Sequence, residues 1–375
     1  MTQQLVAAPA SAPSAPKRVP PARLIRALDI ARAGLARIHR SMVPGNIALL
    51  ELATGAWTTQ VLYVAAELGI PDCLASGPMR AADVAVRVGA DPDAVHRLLR
   101  AMASRGALRE RRDGRFALTA VGDALRSDSE GSLRDMVLFI GHPARWADWG
   151  ALSYSVQTGQ PAADMLRGMP FFEYLDTDPE FAAVFNDAMT AVSGLSNEIA
   201  LQAYDFTAAR LIVDVGGGHG AVLSRILQSA PAAAGVLYDL PAVVAGAPPL
   251  LTGAGVADRC TVTGGSFLDS VPSGGDLYVM KNVIHDWNDA DSATILRNIR
   301  AAIADGGTLL LLEMVLPPRA TSFIGHMLDL EMLLMLHGKE RTRAQYSELL
   351  RANGFELRRV IPTVSPLSLL EARAI

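Results

Sequence analysis

After about residue 208 the chain changes its hydrophobic period, and this change limits its fold more than any other feature of its 375 residues. Short apolar runs over residues 211–215, 235–238, 260–263, 277–280 and 308–312 alternate with amphipathic stretches of helical spacing. Apolar runs of this kind suit strands buried on both faces, so the alternation predicts a parallel sheet with helices on either side. Two more runs, 355–362 and 368–374, predict a closing pair with one antiparallel member. The first strand leads straight into Asp214-Val215-Gly216-Gly217-Gly218-His219-Gly220, and a helix over 221–229 follows. Glycines here let the backbone turn sharply and let a ligand approach it closely. A ligand is therefore expected beyond the carboxyl end of this strand.

The residues before 208 read differently. Residues 1–21, rich in Ala, Pro and Ser, predict a flexible tail. Residues 22–40 predict a basic amphipathic helix, with Leu24, Leu28, Ile30, Leu35 and Ile38 suited to packing on a partner subunit. A helix with a wide apolar stripe is expected over 46–67. Met79-Arg80-Ala81-Ala82-Asp83 is expected to open another, and Asp91-Pro92 the next. Residues 108–118 alternate about Asp113-Gly114, the signal of a tight hairpin. Helix, helix, hairpin is the pattern of a winged helix. Seven arginines (97, 100, 105, 109, 111, 112 and 115) make DNA binding a competing reading. The apolar face of Val95, Leu98, Leu99 and Met102 serves a dimer equally well. The net charge of 34 − 38 = −4 argues against broad affinity for nucleic acid. Residues 132–200 look helical throughout. Two cysteines exclude a disulfide framework, and no apolar run approaches the roughly 20 residues of a membrane span. Arg-over-Lys usage and abundant Ala point to a bacterial protein, expected in the cytoplasm.

Nineteen residues past Gly220 comes Asp239, at the end of the second strand, where a carboxylate can accept both hydroxyls of a ribose. This suits a dinucleotide or another adenosyl cofactor. Asp214, just before the glycines, would repel a pyrophosphate and so favours S-adenosylmethionine, which has no phosphate. The stretch Asp276 to Trp287 places a strand end near Lys281 and His285 in the loop after it, over the same end of the sheet. A neutral imidazole there can take the proton of a phenol or enol hydroxyl. Asp286 is expected either to orient it or to cap the next helix.

Several motifs in one order resemble the cation-independent class I O-methyltransferases, which include plant caffeate-type enzymes and bacterial enzymes of polyketide, anthracycline and carotenoid tailoring. They are Phe171-Phe172-Glu173-Tyr174, Asp214 to Gly220, Tyr238-Asp239-Leu240-Pro241, Lys281 to Trp287, Glu313-Met314-Val315-Leu316-Pro317 and Gly338-Lys339-Glu340-Arg341-Thr342. The resemblance covers roughly residues 45–375. It implies an α/β, Rossmann-like catalytic domain over 208–375 and an N-terminal, all-helical, winged-helix-like dimerisation domain over 41–130. Between them, residues 131–207 would form a helical connector lining the acceptor pocket, with residues 1–40 as tail and basic helix. It implies a homodimer, S-adenosylmethionine as cofactor and a small-molecule acceptor with a phenolic or polyketide-like hydroxyl, with no nucleic acid or membrane as partner.

By position, the resemblance makes His285 the general base, flanked by Glu313, which would hold one tautomer, and Glu340. Asp239 would hold the ribose, Asp214, Gly216 and Gly218 belong to the cofactor loop, and Lys281 lies near the adenine site. Ser266 stands where the family frequently has an acid that accepts from the adenine amino group, and Phe267 would stack on the ring. Trp146, Phe172, Met189, His326 and Asp329 are candidates for the acceptor pocket. The remaining histidines show no ligand spacing, so no metal is expected. Competing readings are a family member with non-methylating chemistry and an NAD-dependent oxidoreductase.

Overall fold

The computed structural model describes residues 22–321 and 323–375, so the expected tail over residues 1–21 lies outside the described residues. Three helices come first: α1 (Ala22–Ser41), α2 (Gly45–Glu67) and α3 (Ile70–Cys73). By length and composition alone, α2 is long and apolar enough to cross a membrane. A single weakly apolar helix is not a convincing span, so the sequence reading is not overturned. Asn46, Glu51 and Gln60 interrupt the helix without removing its apolar character. Leu35, Ile38, Leu49, Leu50, Leu52 and Trp57 stand exposed along α1 and α2, and Met42 between them.

The helices α4 (Ala81–Val88) and α5 (Pro92–Ser104) pack with strands β1 (Met79–Arg80), β2 (Leu108–Glu110) and β3 (Arg115–Leu118). The Asp91 side chain caps α5 by accepting from the Ala94 amide at 2.8 Å, and Val95, Leu99 and Met102 fall on its buried face. The three strands form a small antiparallel sheet in the order β1-β3-β2. The N-terminal region is therefore not all-helical. Met79 and Arg80, expected to open a helix, instead pair with Phe116 and Arg115 as an edge strand.

After α6 (Ala120–Asp123) the chain runs through α7 (Arg134–Gly141), α8 (Pro143–Gly150), α9 (Leu152–Thr158), α10 (Ala162–Arg167), α11 (Phe171–Thr177) and α12 (Pro179–Leu201). Phe139, Phe171, Phe181 and Ala188 form a core with Met335, which arrives from much later in the chain.

The remainder builds the large sheet: β4 (Leu211–Val215), α13 (Ala221–Ser229), β5 (Ala234–Asp239), α14 (Pro241–Val244), α15 (Pro248–Gly253), β6 (Cys260–Gly264), β7 (Leu277–Lys281), α16 (Asp289–Ala302), β8 (Thr308–Leu316), α17 (Gly325–Met335), β9 (Arg341–Thr342), α18 (Arg343–Ala352), β10 (Phe355–Pro362) and β11 (Leu367–Ala374). The strand order is β10-β11-β8-β7-β4-β5-β6, with β9 added beside β8. The strands from β8 to β6 pair in parallel, while β11 is antiparallel to both β8 and β10. One apolar cluster covers each face of the sheet. From β4 the order grows outward through β5 and β6, then returns to β7 on the other side. The crevice at the carboxyl ends of β4 and β7 is thus the switch point, where a sheet of this kind leaves room for a ligand.

Candidate active site

At this point β4 ends in the glycine loop. Gly216, Gly218 and Gly220 have φ of +70°, +59° and +87°, which L side chains rarely adopt. A Cβ on Gly216 would lie 2.8 Å from Val283, whereas at Gly218 it would meet nothing within 4 Å. The loop thus packs on the turn after β7 at one glycine and opens to space at another.

Asp239 closes the loop from the end of β5. Its Oδ2 accepts from the Gly218 amide at 2.8 Å and its Oδ1 from the Leu240 amide at 2.7 Å. Each oxygen has a second lone pair left over. Asp214 lies behind the loop, buried, with its carboxylate under Gly217 and its Oδ2 without a hydrogen-bond partner among the described residues. Burial pushes its pKa up to about 7, with Asp239 adding to the shift and Lys281 opposing it. Burial lowers Lys281 to about 8, against the pull of Asp214 and Glu313. Phe267 stands edge-on to Trp287, with ring centroids 5.7 Å apart, and its carbonyl accepts from Asn298 Nδ2 at 2.9 Å. The neighbouring Ser266 turns its hydroxyl inward to accept from the Leu268 amide at 3.2 Å.

After β7 the chain reverses at Asn282, whose φ of +51° is the one positive value at a non-glycine among the described residues. The reversal sets Val283 on Gly216 and carries His285 into a short 3₁₀ turn, Ile284–Asp286. The imidazole is nearly buried. Its Nδ1 lies 2.8 Å from Glu340 Oε1 and 3.9 Å from Glu313 Oε2, and its Nε2 lies 3.3 Å from Asp286 Oδ1. Glu340 is therefore its direct partner, where the sequence reading gave Glu313 that task. β8 runs on past residue 313, so Glu313 lies within the strand. There its Oε1 accepts from the amides of Val283 and Ile284, at 3.2 and 2.9 Å, and so supports the turn from below. Asp286 does not cap the next helix; Asn288 does.

Burial alone would lower the pKa of His285, but Asp286, Glu313 and Glu340 outweigh it and hold the imidazole well above its ordinary value. Glu313 is raised by burial, with His285 pulling it back.

Sequence reasoning missed the parts that hold this cluster together. A Cβ at Gly338 would lie 2.0 Å from the His285 carbonyl oxygen, and the next amide, Lys339, donates to that oxygen at 2.8 Å. Arg341 is buried and donates to the carbonyls of Ile284 and Trp287, both at 3.0 Å, and to Asp289 at 2.8 Å. Asp329, read as a pocket residue, accepts from the Glu340 amide at 2.8 Å. A second buried network joins Arg145 to Asp148 and to Glu331 of α17, and Arg167 to Asp148 at 2.5 Å. The glycine in Gly-Lys-Glu-Arg was a usable signal, but nothing in the sequence marks Arg145 or Arg341 as buried.

The other pocket candidates fall on helices α8, α11, α12 and α17. Phe172 stacks edge-on with Phe171 and Phe185, and Met189 packs on the same aromatic core. Trp146 and Phe172 remain 37% and 47% exposed, enough surface to meet a ligand. His326 sits edge-on to Phe323 at the start of α17.

The sheet, its switch point and the helices ahead of it define a Rossmann-like methyltransferase fold with an N-terminal dimerisation domain. The sequence matches the O-methyltransferase domain over residues 149–356 and the O-methyltransferase dimerisation domain over residues 50–128. The phenazine O-methyltransferase of Lysobacter antibioticus is 41% identical over 333 residues, covering 89% of this chain and 97% of that one. The LaPhzM crystal structure matches with a TM-score of 0.82 at 41% identity, over 89% of this chain and 100% of that one. An O-methyltransferase of neocarzinostatin biosynthesis, solved with S-adenosylmethionine and 2-hydroxy-5-methyl naphthoic acid, matches at 33% identity with a TM-score of 0.73, over 85% and 96%. The relatives also include a phenazine-1-carboxylate N-methyltransferase of Pseudomonas aeruginosa, 33% identical over 84% of this chain and 92% of that one. The chain belongs to the O-methyltransferase family. It is an S-adenosylmethionine-dependent O-methyltransferase of the small-molecule, secondary-metabolite type.

Proposed function

We propose that the enzyme methylates a hydroxyl of a planar aromatic acceptor, phenolic or polyketide-like, with His285 as general base and no metal in the reaction. The observation that carries this reading is the clamped imidazole. Glu340 occupies Nδ1, so Nε2, 3.3 Å from Asp286 Oδ1, is the nitrogen that would turn from that carboxylate to an acceptor, and Val283, two residues before His285, touches the glycine loop. The aromatic and methionine side chains of α8, α11 and α12 suit a flat apolar acceptor.

When bound, S-adenosylmethionine supplies a methyl group that is already electrophilic on its positively charged sulfur. The chain has to hold the nucleoside, align the acceptor and remove its proton. Asp239 accepts the ribose hydroxyls in this reading, which is supported by the lone pairs its backbone partners leave over. Gly218 leaves the loop open for the methionine part while Gly216 seats it on Val283, and Phe267 offers a ring to the adenine with Ser266 and Lys281 beside it. Asp214, raised to about 7 by burial, stands behind the glycines as a carboxyl whose ionised form a bound sulfonium and ammonium would favour. On the acceptor side, His285 takes the hydroxyl proton at Nε2 in its neutral form, which the raised pKa makes the minor form near neutral pH, so turnover is expected to rise with pH. The three carboxylates favour the imidazolium this creates, and Glu340 fixes the ring while it forms.

Asp239→Ala is expected to weaken S-adenosylmethionine binding about 10- to 100-fold, the loss of about 1.5–3 kcal/mol of hydrogen bonding to a charged group. Turnover at saturating cofactor should change far less. Calorimetric titration reads the affinity, and an unchanged value removes Asp239 from the cofactor site.

The exposed apolar faces of α1 and α2, beside the dimerisation domain, support a homodimer. Sedimentation should give twice the chain mass, and a monomer at micromolar concentration would contradict it. For the reaction itself, the test is an acceptor screen with isotope-labelled methyl donor, read by mass spectrometry. Label on an aromatic hydroxyl is expected. Label found only on ring nitrogens or amines would move the enzyme to the N-methylating branch.

A further inference from the structure

The His285 cluster has more anionic ligand than its imidazole needs. We propose that His285, Glu313 and Glu340 also form a zinc site, and that zinc bound there inhibits the enzyme. Binding stands on the geometry alone; the inhibition rests on the reading of His285 as base.

The three residues are buried, and each brings one ligand atom within 4.8 Å of the others. Ligands of tetrahedral zinc at about 2.0–2.2 Å lie about 3.3–3.5 Å apart. The distances from His285 Nδ1 to Glu340 and Glu313, 2.8 and 3.9 Å, fall on either side of that separation. With the two glutamate oxygens also within 4.8 Å of each other, side-chain adjustment would complete a three-ligand site with one open position. Glu313 Oε2 and Glu340 Oε2 are buried oxygens that find no hydrogen-bond partner among the described residues, so each keeps lone pairs a metal could use.

The outer contacts are also in place. A histidine that ligates metal through one nitrogen usually gives the proton of the other to a carboxylate. Here Nε2 lies 3.3 Å from Asp286 Oδ1. Glu313 is held by two backbone amides and the Glu340 backbone by Asp329. Magnesium, which demands six oxygens in octahedral array, fits this mixed site poorly. No spacing motif announces the trio, because its members lie 28 and 27 residues apart (313 − 285, 340 − 313).

Zinc on Nδ1 requires a neutral imidazole, whose single remaining proton then sits on Nε2. That is the nitrogen needed by the acceptor, so methyl transfer stops while the cofactor cleft stays intact.

The test uses the full chain, freed of metal by chelation and titrated with zinc chloride without acceptor or cofactor. One zinc per chain is expected, and Glu313→Gln and Glu340→Gln should each weaken it at least tenfold. X-ray absorption at the zinc edge of the unmutated protein, which does not depend on how the variants fold, should show one imidazole and otherwise oxygen. Saturating zinc should lower turnover at least tenfold, reversibly with EDTA, leaving S-adenosylmethionine affinity within about twofold, and magnesium chloride should have no effect. Absence of stoichiometric zinc, several imidazoles or a thiolate around it, or undiminished binding in both variants would overturn the site. Zinc bound at the site without slowing turnover would overturn the inhibition and the role of His285 as base together. A chain that binds no zinc yet loses turnover in His285→Ala would overturn the zinc site alone.

Discussion

His285→Ala should lower turnover by about 10²–10⁴-fold, the range a positioned base contributes, with S-adenosylmethionine affinity held within about twofold. The split follows from placement. His285 lies beyond β7, clamped by Glu340, while the glycine loop and Asp239 occupy the ends of β4 and β5. Removing the ring also leaves Asp286, Glu313 and Glu340 facing one another without their cation, so alanine carries a stability cost as well. His285→Gln keeps a donor toward Glu340 but cannot accept and carry a proton. The two variants should therefore differ in melting temperature and agree in lost turnover. Turnover near that of the unmutated enzyme in either one would remove His285 from the chemistry.

Gly338→Ala should lower turnover about 100-fold, because a catalytic group displaced by about 1 Å can cost that much. The added Cβ would lie 2.0 Å from the His285 carbonyl oxygen and 2.6 Å from the Asp286 carbonyl carbon. Both atoms are backbone and cannot rotate away. The segment has to lift, which pulls the Lys339 amide off that carbonyl and Glu340 off Nδ1. Cofactor affinity should be unchanged, since this segment does not reach β4 or β5. Gly150→Ala is the matched control: its Cβ meets nothing within 4 Å. Kinetics on the two variants separate close approach at one glycine from a general intolerance of alanine.

Much of the catalytic half was legible in the sequence because its signals are local. Buried parallel strands read as unbroken apolar runs, and the glycine loop, Asp239 and His285 each follow a strand end that those runs define. The placement of Glu340 beside His285 came only from the family resemblance, since 55 residues separate them. The division of labour between Glu340 and Glu313 was not legible at all. It depends on β8 continuing to residue 316, which puts Glu313 under the turn rather than at the imidazole. Met79 and Arg80 were misread for the opposite reason. Two residues carry no period, and only their partners on β3 make them a strand. Arg145 and Arg341 look like surface residues in sequence. Their burial rests on carboxylates and carbonyls brought from distant segments, Glu331 for one and Ile284 for the other.

The most direct test of His285 as the acceptor's base is a crystal structure of the enzyme with S-adenosylhomocysteine and an acceptor found by the labelling screen. The acceptor oxygen should lie about 2.6–3.2 Å from His285 Nε2, with the sulfur of the nucleoside beyond it at the carboxyl end of β4. An acceptor oxygen held by another side chain, with His285 facing away from it, would contradict the account.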